Sequence, residues 1–279
     1  MSIIINFQRI NRIADLFNML GIERVSIFED IDPQYQVVKY ALENCDERLT
    51  SYAFYINALL AYRLRISGEE FWSNFAEYLT RNCKSIENFY QVVDLVGNFT
   101  SRFNNYAYYQ KIKRLNKLRY CMDVNDVIDR GDIQELAKRT AECLNSSVES
   151  KTVVFSVKMV YYVHKARGKR IILPFELPIP VDKRVAFVTY TSGLIESNAN
   201  DVVSLLFRKP NVVRKVWLMV SLKSNIPSLN IDAVIWYFGK FSQYRDAGKV
   251  LKLIDSTLYE ILGKNVIEAL VNELFYVFT

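Results

Sequence analysis

Lys151 and Asp182 are the two residues of this 279-residue chain whose type and setting best suit covalent chemistry. Lys151 follows the polar turn LNSSVES (144–150), in which Ser147 or Ser150 can cap, and opens the helical stretch KTVVFSVKMVYYVHKA. In a first turn the partial positive charge of the helix N-terminus disfavours a second positive charge, so the neutral, nucleophilic amine becomes more accessible. Helical offsets put Phe155, Lys158 and Tyr162 on the same stripe as Lys151. Asp182 opens the next helix after LPFELPIPV, a segment that holds Pro174, Pro178 and Pro180 out of six prolines in the chain. Proline fixes φ and favours extended backbone in itself and in the residue before it. A helix over 151–167 is about 25 Å long, and residues 168–181 can span at most about 46 Å. A stiff return loop can therefore bring Asp182 to the start of the helix that carries Lys151. On residue type alone, Lys151 also fits a surface lysine and Asp182 a plain N-cap, and both readings stay open at this level.

Other chemistries are thinly supplied. The single histidine, His164, sits mid-helix and rules out histidine-cluster metal enzymes, and no nucleophile-elbow sequence accompanies it. Cys45, Cys83, Cys121 and Cys143 have no metal-knuckle spacing and read as buried small apolar residues. No metal and no cofactor is expected. The formal charge of +6 and pI near 9.0 favour a polyanionic partner. Positive charge gathers in KIKRLNKLR (111–119), KARGKR (165–170) and Lys183-Arg184, which read as phosphate contacts or as solvated faces.

These groups must be positioned by helices. Apolar residues recur at three- and four-residue spacing over 5–20, 33–45, 50–65, 69–83, 87–102, 107–119, 131–144, 150–167, 183–195, 211–222, 230–240 and 248–278. Asp32-Pro33 is an N-cap followed by proline at the first helical position, and Ser67 precedes an acidic first turn. VAFVTY (185–190) continues from a charged helical start and is read as helix. An all-α fold is expected. With 51% hydrophobic and 24% charged residues the chain is of globular composition, and no apolar run reaches the roughly 18 residues of a membrane span. MSIIINFQRINR is too short in its apolar run for a signal peptide, so an intracellular, cytoplasmic protein is expected.

A lysine opening a helix, a Gly/Pro-containing loop and then Pro-Val-Asp opening the next helix resemble the helix–hairpin–helix DNA glycosylase superfamily. The closer resemblance is to its archaeal 8-oxoguanine DNA glycosylases. DPQY (32–35), NALLAYRL (57–64), GEEFW (68–72), KTVVFSVK (151–158), LPFELPIPVDKRVA (173–186), SGLI (192–195) and IPSLNIDAVIWYFG (226–239) carry it, most of the chain. The resemblance implies two helical lobes with the active-site cleft between them. One is a helical-barrel lobe over 31–150 that ends in the hairpin. The other joins 1–30 to 151–279 and carries the Lys/Asp site. The helix–hairpin–helix region would span about 131–195.

The resemblance further implies a bifunctional N-glycosylase/DNA lyase of base-excision repair, without metal or cofactor, that flips 8-oxoguanine out of DNA. Lys151 would attack C1′ of the damaged nucleotide and form a Schiff base with the sugar, with strand cleavage by β-elimination. Asp182 would stabilise the oxocarbenium-like charge and assist proton transfer. The base pocket would include Gln34, Ala61, Trp72, Phe155, Lys158, Pro180, Asp182, Asp232 and Trp236, with Ala61 contributing backbone only. The residue chemistry agrees. Phe155 and Trp236 offer flat faces for a purine, Gln34 a donor and acceptors, the Trp72 indole a donor and the Pro180 carbonyl an acceptor. The expected partner is DNA containing 8-oxoguanine, met by a monomer, with no membrane. The hairpin of this superfamily is usually glycine-rich, whereas LNSSVES has no glycine. A glycosylase for another oxidised or mismatched base, a non-catalytic helical DNA-binding protein, and a basic helical interaction module remain as alternatives.

Overall fold

The structure, a computed structural model, describes residues 2–121 and 123–279. In chain order the elements are β1 (Ile3–Ile5), α1 (Phe7–Asp30), α2 (Pro33–Asn44), α3 (Glu47–Leu60), α4 (Gly68–Asn82), α5 (Phe89–Phe103), α6 (Tyr108–Leu118), α7 (Val124–Arg130), α8 (Ile133–Leu144), α9 (Lys151–Ala166), α10 (Lys183–Thr191), β2 (Ile195–Ser197), α11 (Val202–Arg208), α12 (Pro210–Ser224), α13 (Ser228–Gly239), α14 (Ala247–Leu253), α15 (Ser256–Leu262) and α16 (Lys264–Leu274). The fold is all-α. Among the described residues the only sheet is the antiparallel pair β1–β2, with Ile3 opposite Ser197 and Ile5 opposite Ile195. Among the described residues no helix is long and apolar enough to cross a membrane.

The chain forms two compact units. One runs from Asp30 to Pro174, the other joins the segment up to Glu29 to Phe175–Thr279.

The Asp30–Pro174 unit is built around α3. From Thr50 to Leu60 this helix carries no charged side chain, and every one of those residues is buried. A helix apolar on all sides must lie inside its unit. It packs along α9 and against α5, while α2 lies on α9 and α4. α9 belongs to this unit and buries Val153, Val154, Val157 and Val160. The caps read from sequence are formed: Asp32 accepts the Gln34 N–H (2.9 Å) and Ser67 accepts the Glu70 N–H (3.1 Å). The cysteines correct the expectation of isolated apolar residues. Cys45 bonds to Cys83 and Cys121 to Cys143, with Cα separations of 5.9 and 6.0 Å. The first bridge joins the end of α2 to the end of α4, two helices that pack together only in the folded unit.

The other unit centres on α13, also buried on almost all sides, with α10 and α12 against it. Its N-terminal segment is tied in by β1 and by Arg9. The Arg9 guanidinium donates to Ser192 O (2.8 Å) and Glu273 O (2.9 Å), pairs with the Glu273 carboxylate (2.8 Å) and lies 3.9 Å from the Tyr276 ring centroid. A Cβ on Gly193, whose φ is +71°, would stand 2.9 Å from Tyr276 Cδ1. Glycine meets both demands, the left-handed backbone and the close approach.

Candidate active site

The chain leaves α8 through Asn145 in the left-handed conformation (φ 50°) and turns over 145–150 into α9, which packs back on α8. Lys151 is the first residue of α9 and is exposed. Ser150 is its N-cap by position only: its hydroxyl accepts from Ser146 Oγ (3.2 Å), and it makes no capping bond to the helix. The Ser147 hydroxyl accepts the Glu149 N–H (3.2 Å).

Further along α9, Phe155 meets Trp72 edge to face, with ring centroids 5.7 Å apart. Trp72 in turn stacks on Phe54 at an interplanar angle of 8° and is 2% exposed, so one face of its indole belongs to the core. Lys158 is 1% exposed, and a buried ammonium needs a counter-charge. Its Nζ stands 3.9 Å from Asp32 Oδ2, which also accepts from Tyr162 OH (2.7 Å). The capping aspartate of α2 is thus the ionic partner of the second lysine on the α9 stripe. Gln34 is buried in the first turn of α2. Ala61 is the C-cap of α3, where the backbone leaves the helix at φ −76°, ψ 61°. The Asp30–Pro174 unit therefore holds Gln34, Ala61, Trp72, Lys151, Phe155 and Lys158.

The other unit holds Pro180, Asp182, Asp232 and Trp236. Asp182 is the N-cap of α10, and its Oδ1 accepts the Val185 N–H (2.9 Å). Pro178 and Pro180 are buried, and between and around them Leu177, Ile179 and Val181 are 1%, 0% and 5% exposed. The stiffened loop is therefore also a piece of core, an arrangement that fixes the residue following it. Asp232 is buried one turn before Trp236 on α13; with Pro227 as N-cap, Asp232 is no cap. The half-exposed Trp236 ring carries the Arg184 guanidinium at 4.1 Å. That pair exists because Gly239 lets the α10 backbone approach; a Cβ there would stand 2.5 Å from Arg184 Cβ.

The basic clusters differ from expectation. Lys111 is fully buried, Arg114 donates to Leu59 O and Arg119 pairs with Asp94, so much of the 111–119 run is turned onto its own unit. In KARGKR, Lys165 pairs with Asp30 (2.8 Å) and Lys169 with Glu47 (2.5 Å). Lys183 and Arg184 line a cavity of about 350 Å³ together with Arg245, Asn200 and Ser242. His164 is structural: its Nε2 bonds Ile128 O at 2.7 Å and its ring is 2% exposed. Sequence reasoning missed Asp32 as the partner of Lys158 and Arg184 as the partner of Trp236. A lysine amid the apolar middle turns of α9 was the available signal for the first pair; none existed for the second.

A family model described as N-glycosylase/DNA lyase, AGOG, matches residues 14–269. The chain belongs to the AGOG family. Among its AGOG relatives, the N-glycosylase/DNA lyase of Pyrobaculum aerophilum is 30% identical over 238 residues, covering 85% of this chain and 88% of the relative. The N-glycosylase/DNA lyase of Aeropyrum pernix is 27% identical, covering 97% of this chain and 96% of the relative. Among solved structures, Pa-AGOG, the 8-oxoguanine DNA glycosylase from Pyrobaculum aerophilum complexed with 8-oxoguanosine, matches with a TM-score of 0.71 and 27% identity over 96% of this chain and 97% of that one.

Proposed function

We propose that this chain is a bifunctional DNA repair enzyme that excises 8-oxoguanine from DNA and then cleaves the strand. The observation that carries this reading is the AGOG match over residues 14–269, within which Lys151 stands as the first residue of α9. Lys151 Nζ attacks C1′ while the bond from C1′ to the base breaks. The base departs with the bonding pair and takes up a proton, and Asp182 stabilises the positive charge that develops on the sugar. Opening of the sugar gives a Schiff base on Lys151. Loss of the C2′ proton then expels the 3′ phosphate by β-elimination. The base is held by Gln34, the Ala61 backbone, Trp72, Phe155, Lys158, Pro180, Asp232 and Trp236. The hairpin 145–150 between α8 and α9 engages the DNA backbone, and the enzyme works as a monomer inside the cell, where its substrate is.

Borohydride reduction during reaction with an 8-oxoguanine duplex tests the nucleophile. The wild type should be trapped on DNA, and Lys151→Gln should give neither adduct nor base release. Trapping that survives Lys151→Gln and disappears in Lys158→Gln would move the nucleophile to Lys158. Asp182→Asn keeps the capping geometry, so it should melt near the wild type, bind the lesion, and lose excision by roughly 10² or more. A panel of duplexes with other oxidised or mismatched bases separates this substrate from its alternatives.

A further inference from the structure

In the basic run KIKRLNKLR, Lys111 and Arg114 are turned onto the Asp30–Pro174 unit. Arg114 is half-buried on α6. Its Nη1 has two hydrogens and two acceptors: Leu59 O at 2.7 Å and Thr152 Oγ1 at 3.0 Å. Leu59 is in the last turn of α3, among the carbonyls that a helix leaves without an internal partner. Thr152 is the second residue of α9, adjacent to Lys151. One guanidinium nitrogen therefore joins the helix end that presents Ala61 to the helix start that presents Lys151.

The same helix end is held a second time. Asn104 Nδ2 donates to Leu60 O (2.9 Å), and the buried Lys111 ammonium donates to Asn104 O (3.1 Å) and to Asn104 Oδ1. Tyr62, just beyond Ala61, has its ring 4.9 Å from Lys111 Nζ and 5.6 Å from Arg114 Cζ. A helix that only had to stop could leave these carbonyls to water or to a glycine turn. Here one cation and one amide donate to carbonyls of the same turn, with Lys111 backing the amide, and a cationic donor suits the partial negative charge of a helix C-terminus.

We propose that Arg114 is a positioning residue that fixes the spacing between the base-contacting backbone at Ala61 and the amine of Lys151. This rests on the reading of those two residues given above. Excision needs both at once, the base seated and Nζ aligned on C1′, and misplacement by about 1 Å can cost roughly 10² in rate. Strand cleavage at a preformed abasic site needs the amine but has no base to seat. Loss of the brace should therefore act on excision more than on abasic-site cleavage.

The test compares Arg114→Ala, Arg114→Lys and Thr152→Val with the wild type under single-turnover conditions, on an 8-oxoguanine duplex and on an abasic-site duplex. Excision should fall by roughly tenfold or more in Arg114→Ala and by a smaller factor in Thr152→Val, with lesion binding and abasic-site cleavage each within about threefold of wild type. Added guanidinium at millimolar concentration should restore part of the Arg114→Ala rate. If Arg114→Ala does not fold, Thr152→Val, which removes one acceptor and keeps the arginine, carries the comparison alone. Unchanged excision, or excision and abasic-site cleavage falling in equal proportion alongside a lowered melting temperature, would overturn the proposal. A wild-type chain that cleaves abasic sites but releases no 8-oxoguanine would sink the substrate reading instead, and is recognised before any variant is made.

Discussion

Lys111 has its ammonium enclosed by Asn104 and the face of Tyr62. Burial first, and the charge of Arg63 second, bring its pKa down from 10.5 to about 8. The folded protein then holds this proton less tightly than the unfolded chain does, so the contribution of Lys111 to stability rises with pH between about 8 and 10.5. Below about 8 the full cost of the buried charge is present. In thermal melts of the wild type and Lys111→Met, the difference in Tm should therefore shift in favour of the wild type as pH rises through that window. A difference that stays constant across it would mean that the amine titrates as it does in the unfolded chain. At this scale the sequence told two stories of unequal quality. That Lys151 opens α9 and Asp182 caps α10 was legible because a helix start and a proline-dense approach are local signals. The Asp32–Tyr162 bond that completes the Lys158 pair spans 130 residues and leaves no local mark. The inward turn of Lys111 and Arg114 was hidden for a related reason: a basic run looks the same whether its cations meet solvent or the end of another helix.

At the scale of elements, the crossing of α10 on α13 depends on Gly239. An alanine Cβ there would lie 2.5 Å from Arg184 Cβ and 3.2 Å from Arg184 Cα, and the second of these is backbone that no rotamer change can move. Gly239→Ala should lower stability by about 1–3 kcal/mol through overpacking. Gly68→Ala, at the start of α4 with nothing within 4 Å of the added carbon, should be neutral or slightly stabilising. Chemical denaturation of both variants makes the comparison, and equal effects would show that the α10–α13 contact has slack. Helices with full amphipathic turns and side-chain caps were read within a few residues, and VAFVTY is helical in α10 as expected. The short helices α7 and α11, with 7 residues each, lack the turns that make a period visible. The expected 248–278 helix is three helices, α14 to α16, broken at Ile254 and at Gly263 in its positive-φ conformation. The break at Gly21 (φ 71°, ψ 165°) separates two helical runs in α1, of which the pattern revealed only the first. β1 and β2 have three residues each and no shared turn, so nothing near either one announces the other.

Over the whole molecule the two disulfides are unevenly placed. Both close loops inside Asp30–Pro174, with sequence separations of 38 and 22. Loop closure of that size removes about 3–4 kcal/mol of unfolded-state freedom per bridge. Reduction should therefore weaken that unit first. Limited proteolysis with and without dithiothreitol checks this: the new cuts should fall between Asp30 and Pro174, and new cuts confined to the flanking segments would contradict it. The other unit has a different dependence, set by chain order. In chain order α1 precedes Asp30–Pro174, yet the residues that hold its segment come much later: Ile195–Ser197 for β1, Ser192 and Glu273 for Arg9. While Asp30–Pro174 is synthesised, Ile10, Ile13 and Phe17 wait without the partners that bury them in the finished protein. Translation thus imposes a waiting period on α1, and a nascent chain stalled after Pro174 presents the apolar face of that helix to whatever chaperone attends the ribosome exit.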